Sequence, residues 1–77
     1  MSYTEQEQAI LIKLGNAIRE ARKAKGWSQE ELAFQAGLDR TYIGSVERGE
    51  RNIAALNLVK IATVLGLGVG ELLEGEK

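Results

Sequence analysis

The chain has 77 residues, a formal net charge of −1 at pH 7 and neither cysteine nor histidine. That length predicts one domain, residues 1–77, burying only about 60% of the surface its unfolded chain exposes, and the missing residue types exclude disulfides, thiolate or imidazole metal sites and a histidine general base. The start MSYTEQEQ is polar and acidic, and no apolar run approaches the length of a membrane span, so the expected protein is cytoplasmic with no membrane partner.

Proline is absent, and glycine punctuates the chain. A first helix is expected from a capping box of Thr4 and Glu7 to Lys25, with Leu11, Leu14, Ile18 and Ala21 at helical spacing. Gly15 inside it reads as a weak point costing about 1 kcal/mol relative to alanine. A second helix, residues 29–36, opens on a capping box of Ser28 and Glu31 with Trp27 and Leu32 as its staple, places Leu32, Ala33 and Ala36 on one stripe, and stops at Gly37. Trp27 is therefore assigned to the core. Phe34 lies opposite the stripe and is expected to pack under the extension of the first helix, the alternative being an exposed contact.

The third helix starts at an Asp39 cap, has Leu38 and Ile43 as its staple and closes at Gly49. A fourth covers about residues 54–65 through Leu58, Ile61, Ala62 and Leu65, and a short fifth covers about 69–73 after Gly66 and Gly68. Ala54 and Gly68 stand where a capping side chain would help, which weakens both starts. With no period-two stretch, the expected fold is all-α, a compact five-helix domain.

Residues 28–49 have the layout of a helix-turn-helix, in which the second helix of the pair reads the major groove. About 100° per residue turns Ile43 and Val46 toward the first helix of that pair and Thr41, Gly44, Ser45 and Arg48 outward, a small or hydrogen-bonding face. Arg40 can form two bonds to guanine O6 and N7, and the Thr41 methyl can rest on a thymine methyl. Gln29 lies at a helix start beside the backbone, and Arg51 and Asn52 lie in a following loop that reaches phosphates or a groove edge, or else serve as a solvated Arg and a capping Asn. Ser45 and Arg51 are thus candidates for base contact, Arg48 and Asn52 for the backbone. The charge supports this placement: residues 13–60 hold nine Lys and Arg against six Asp and Glu, while both ends are acidic.

Arg22 lies one turn beyond Ile18 on an apolar stripe, and Glu47 one turn beyond Ile43. Each is costly alone, so a structural ion pair is expected between them. In the C-terminal third, about residues 53–73, Ile53, Leu56, Leu67, Val69, Leu72 and Leu73 exceed what one small core needs. A self-complementary homodimer patch is expected there, the alternative being that all six fold back on their own chain.

The ordered series RxxRKAKGWSQEELAxxAGL, the turn and IxxVExG resembles the helix-turn-helix family of phage lambda-type repressors and Cro proteins over residues 14–73. LDRTYIGSVERGERNI, residues 38–53, more narrowly resembles controller proteins of restriction-modification systems. The resemblance implies a lambda-repressor-like homodimer on palindromic double-stranded operators, regulating its own gene and an endonuclease gene, with RNA polymerase as a candidate further partner and no cofactor. It implies Arg40 and Thr41 on bases, Tyr42, Gln29 and Asn52 on the backbone, and Arg51 on either. A phage-type repressor or an antitoxin is the alternative within the class. An enzyme is disfavoured, because no nucleophile, base and orienting group stand together in the sequence.

Overall fold

Local capping chemistry sets most helix boundaries in residues 2–74, which the structure, a computed structural model, describes. Helix α1 is Glu5–Ala24, α2 is Gln29–Ala36, α3 is Arg40–Glu47, α4 is Ala55–Leu65 and α5 is Val69–Glu74. Thr4 and Glu7 form both halves of the α1 capping box. Ser28 Oγ accepts from the Glu31 N–H at 3.0 Å, but the reciprocal half of the expected box is missing because Glu31 Oε2 accepts from Gln35 Nε2 at 2.7 Å. Gly37 ends α2 at φ 70° and ψ 36°, and the Leu38 N–H returns to the Ala33 carbonyl at 2.9 Å. Asp39 Oδ1 accepts from the Thr41 N–H at 2.7 Å and opens α3. Ala54 supplies no side-chain cap to α4. At α5 the weak start is partly offset: Glu71 Oε1 accepts from the Gly68 N–H at 2.8 Å.

Ile18, Leu32, Ile43, Ile61 and Leu72 lose nearly all contact with solvent and form the centre of the core. Helices α1 and α2 pack on α3, α4 packs on α2, and α5 lies against α1. Gly15 is where α1 meets the end of α3: a Cβ there would lie 2.5 Å from the Val46 and Glu47 carbonyl oxygens. The expected weak point is a crossing that any side chain would force apart, so the propensity cost in α1 is accompanied by a close helix contact.

Two packing expectations are corrected. Leu72 was expected at a subunit interface but is 1% exposed, because α5 lies against α1 and turns that position into the molecule's own core. Phe34 was expected under α1 but is 78% exposed, since the first turns of α1 lie against the segment after α3 instead. Ile53, Leu67 and Val69 are half-buried against the core, whereas Leu56 and Leu73 are exposed.

Candidate nucleic-acid interface

The buried end of α3 is built around one carboxylate. Arg22 Nε donates to Glu47 Oε2 at 2.7 Å and Arg22 Nη2 to Glu47 Oε1 at 3.0 Å, a two-pronged pair on facing apolar stripes. Arg22 Nη1 donates to the Trp27 carbonyl at 2.8 Å, tying the α1–α2 connection to the same guanidinium. Two further groups join that the spacing does not indicate. Gln29 Nε2 donates to Glu47 Oε1 at 3.0 Å, and Arg19 Nη2 donates to the Glu47 carbonyl at 3.1 Å, with its Nε 3.6 Å from Glu47 Oε1. Burial pushes the Glu47 carboxyl up, but the hydrogen bonds from Arg22 and Gln29 and the charges of Arg22 and Arg19 outweigh it and hold the group below the ordinary carboxylate value. The Glu47 hydrogen bond holds the Arg22 guanidinium above its ordinary value, against the cost of burial.

Three elements are thereby fixed at one point: α1 through Arg19 and Arg22, the start of α2 through Gln29, and the end of α3 through Glu47. Gln29 was expected on a phosphate through its place at the start of α2. Its side-chain amide nitrogen instead donates to Glu47, a bond that links the start of α2 to the end of α3.

The opposite end of α3 has the reverse character. Arg40 and Thr41 are exposed, and the Arg40 guanidinium makes no hydrogen bond or ion pair among the described residues. Gly44 and Ser45, expected as an open outward face, are buried. The reason is side-chain cover: Arg48 and Gln29 lie over Gly44, while Ser45 Oγ donates to the Tyr42 carbonyl at 2.8 Å and accepts from Arg51 Nε at 3.1 Å. Ser45 therefore faces the Arg51 side chain rather than open solvent.

Arg51 is held from two sides, its guanidinium 5.2 Å from the centre of the Tyr42 ring while Nε donates to Ser45. The Tyr42 hydroxyl is buried with no partner among the described residues, so the ring faces Arg51 while the hydroxyl is not presented outward. Arg48 is exposed and donates from Nε to Glu50 Oε2 at 3.0 Å, an exposed pair. The Asn52 side chain is exposed, and its backbone N–H donates to the Tyr3 hydroxyl at 3.2 Å. No His, Cys, Asp or Glu cluster among the described residues could hold a metal ion, and no described helix is long and apolar enough to cross a membrane.

The arrangement is a helix with a saturated buried end and an exposed basic start, carried beside an arginine held in place after its C-terminus. Such a surface can neutralise phosphates and present planar donors to base edges. Comparison with known proteins agrees with that chemistry. A helix-turn-helix family model matches residues 18–72. The crystal structure of the restriction-modification controller protein C.AhdI from Aeromonas hydrophila superposes with a TM-score of 0.81 at 55% identity, over 83% of this chain and 97% of that one. A hypothetical transcription factor of Neisseria meningitidis serogroup B is 51% identical over 67 residues, 87% of this chain but 63% of that protein. The regulator SinR, crystallised in complex with DNA, superposes with a TM-score of 0.75 at 39% identity, over 78% of this chain and 97% of that one.

Proposed function

The chain belongs to the helix-turn-helix family of DNA-binding transcription regulators, and from that premise we propose that it is a dimeric controller of a restriction-modification system, binding a palindromic operator that governs its own gene and an endonuclease gene. The observation that carries the reading is the start of α3, where an exposed Arg40 with no partner among the described residues precedes Thr41 on a helix fixed at its other end by Glu47. A guanidinium that forms no bond within its own chain loses none on meeting guanine, and an anchored helix needs little reordering to place it.

In this reading Arg40 and Thr41 contact bases, and Arg51 reaches the groove or a phosphate from its place over Tyr42. Ser45 and Tyr42 hold Arg51, while Arg48 and the Asn52 side chain serve the backbone. Gln29 adds the positive end of α2 and keeps its link to Glu47. RNA polymerase is the further partner through which such a controller would act.

The dimer rests on apolar surface left over from the core. Leu56 and Leu73 are 65% and 52% exposed, with Ile53, Leu67 and Val69 half-buried. A two-fold axis through this region would set two recognition helices about 34 Å apart, one turn of duplex. Selection of bound sites from a random duplex pool tests the reading: a recovered palindrome supports it, and a sequence-independent pool contradicts it. Replacing Leu56 and Leu73 with Asp should leave a folded monomer that has lost operator affinity, checked by mass in solution and by binding. A variant that stays dimeric would move the interface elsewhere.

A further inference from the structure

The first turn of α1 and the residues before it lie outside the family match, which begins at residue 18, yet they reach the loop that carries Arg51. Gln8 Nε2 donates to the Gly49 carbonyl at 2.7 Å across 41 residues of sequence, and the Tyr3 hydroxyl accepts from the Asn52 N–H across 49. Residues 49–52 are thus held at both ends by the N-terminal segment, with Arg51 between the two holds.

The rest of this contact is sparse. A cleft of about 190 Å³ lined by Tyr3, Glu7, Ile10, Leu11 and Asn52 opens between the two segments, so little side-chain packing fixes Asn52 from this side. At the other end the fit is tight: a Cβ on Gly49 would lie 2.8 Å from an Ile12 side-chain carbon, which places the Gly49 carbonyl within reach of Gln8 one turn earlier in α1. Glu7 is committed to capping, accepting from the Thr4 N–H at 2.9 Å, which anchors the turn next to Tyr3. Hydrogen bonds to backbone groups at both ends of a four-residue segment, at 2.7 and 3.2 Å, remove much of its freedom before it meets a ligand.

We propose that Tyr3 and Gln8 are positioning residues for DNA binding: the N-terminal segment straps residues 49–52 so that Arg51 and Asn52 are preset toward the duplex. This inference rests on the DNA-binding reading above. Tyr3 and Gln8 touch no nucleic acid in it. They act through the loop, and Arg51 is the group they set, in concert with Ser45 and Tyr42 on its other side.

The test uses the full chain with Tyr3→Phe, Gln8→Met and the double substitution, each of which removes a bonding group at nearly constant shape. Backbone amide exchange at Asn52 should quicken by about tenfold in Tyr3→Phe, the scale of one lost hydrogen bond. The double variant should lose about tenfold in affinity for the operator recovered by site selection, while its melt stays cooperative and its helical content unchanged. In an Arg51→Ala background the same pair of substitutions should cost clearly less than in the unaltered protein, about threefold or below, the remainder passing through Asn52, because coupled residues do not add. Unchanged Asn52 exchange overturns the strap, and so does an operator affinity that stays level or falls equally in the Arg51→Ala background. Amide exchange also separates the two proposals. If the unaltered protein selects no operator, the DNA-binding reading fails, whereas the exchange at Asn52 still decides whether the strap holds the loop.

Discussion

The two ends of α3 differ in every respect that matters for their roles. At its C-terminal end a fully buried carboxylate receives two bonds from Arg22 and one from Gln29, with Arg19 beside it. At its N-terminal end Asp39 caps the helix and Arg40 projects into solvent without a partner among the described residues. A carboxylate at a helix C-terminus is opposed by the macrodipole and by desolvation, so it persists only with cations around it. Those cations come from α1, which makes the unfavourable end of the helix the point where three elements are joined. Orientation is set at one end, and in the proposed reading contact is made at the other.

The contrast is broken most strongly at Glu47. Glu47→Gln should lower stability by about 3 to 5 kcal/mol, since it leaves the Arg22 charge buried without compensation. Thermal or urea unfolding measures the loss, and the preferred operator of the folded fraction should be unchanged. The double substitution Arg22→Met with Glu47→Leu should recover only part of it, because it also leaves the Trp27 carbonyl without the Arg22 donor. Strictly additive losses would show that the two side chains do not act together.

Acid sharpens the same point. The Glu47 carboxyl is held below its ordinary value of 4.5, so its contribution is fully present above that value and is lost as pH falls through the lower, folded-state value. Melting temperatures taken downward from about pH 6 should fall more steeply for the unaltered protein than for the Arg22→Met, Glu47→Leu double variant. Equal slopes would contradict the assignment.

The smallest effect is expected beside the anchored end, at the exposed Arg48–Glu50 pair. Glu50→Gln should leave the melting temperature unchanged, since such pairs add little to stability. It should strengthen DNA binding slightly by removing a negative charge and releasing Arg48, an effect that shrinks as salt is raised.

Much of this architecture follows from spacing, and the exceptions have specific causes. The all-helical fold, the caps at Thr4 and Asp39 and the stripe of Leu32, Ala33 and Ala36 depend on residues within a turn of each other, which periodicity resolves. Arg22 and Glu47 can be set on facing stripes by the same rule. The participation of Gln29 and Arg19 cannot, because a long polar side chain reaches its partner from several registers. Gly44 and Ser45 look open on a helical projection, which shows where Cα atoms point but not that Gln29, Arg48 and Arg51 fold over them. Leu72 illustrates a further limit: in a six-residue helix the inward position is chosen by the neighbour it lies on, here α1. The bonds of Tyr3 and Gln8 to residues 52 and 49 leave no periodic trace at all.

The central claim, that α3 is anchored at one end so that its other end can read sequence, is tested most directly by Arg40→Ala measured on operator and on random duplex at the same salt concentration. The account predicts a loss of about 1 to 3 kcal/mol on the operator, roughly tenfold to a hundredfold in affinity, with far less on random duplex and no change in melting temperature. Equal losses on the two duplexes would assign Arg40 to phosphate contact and contradict the claim.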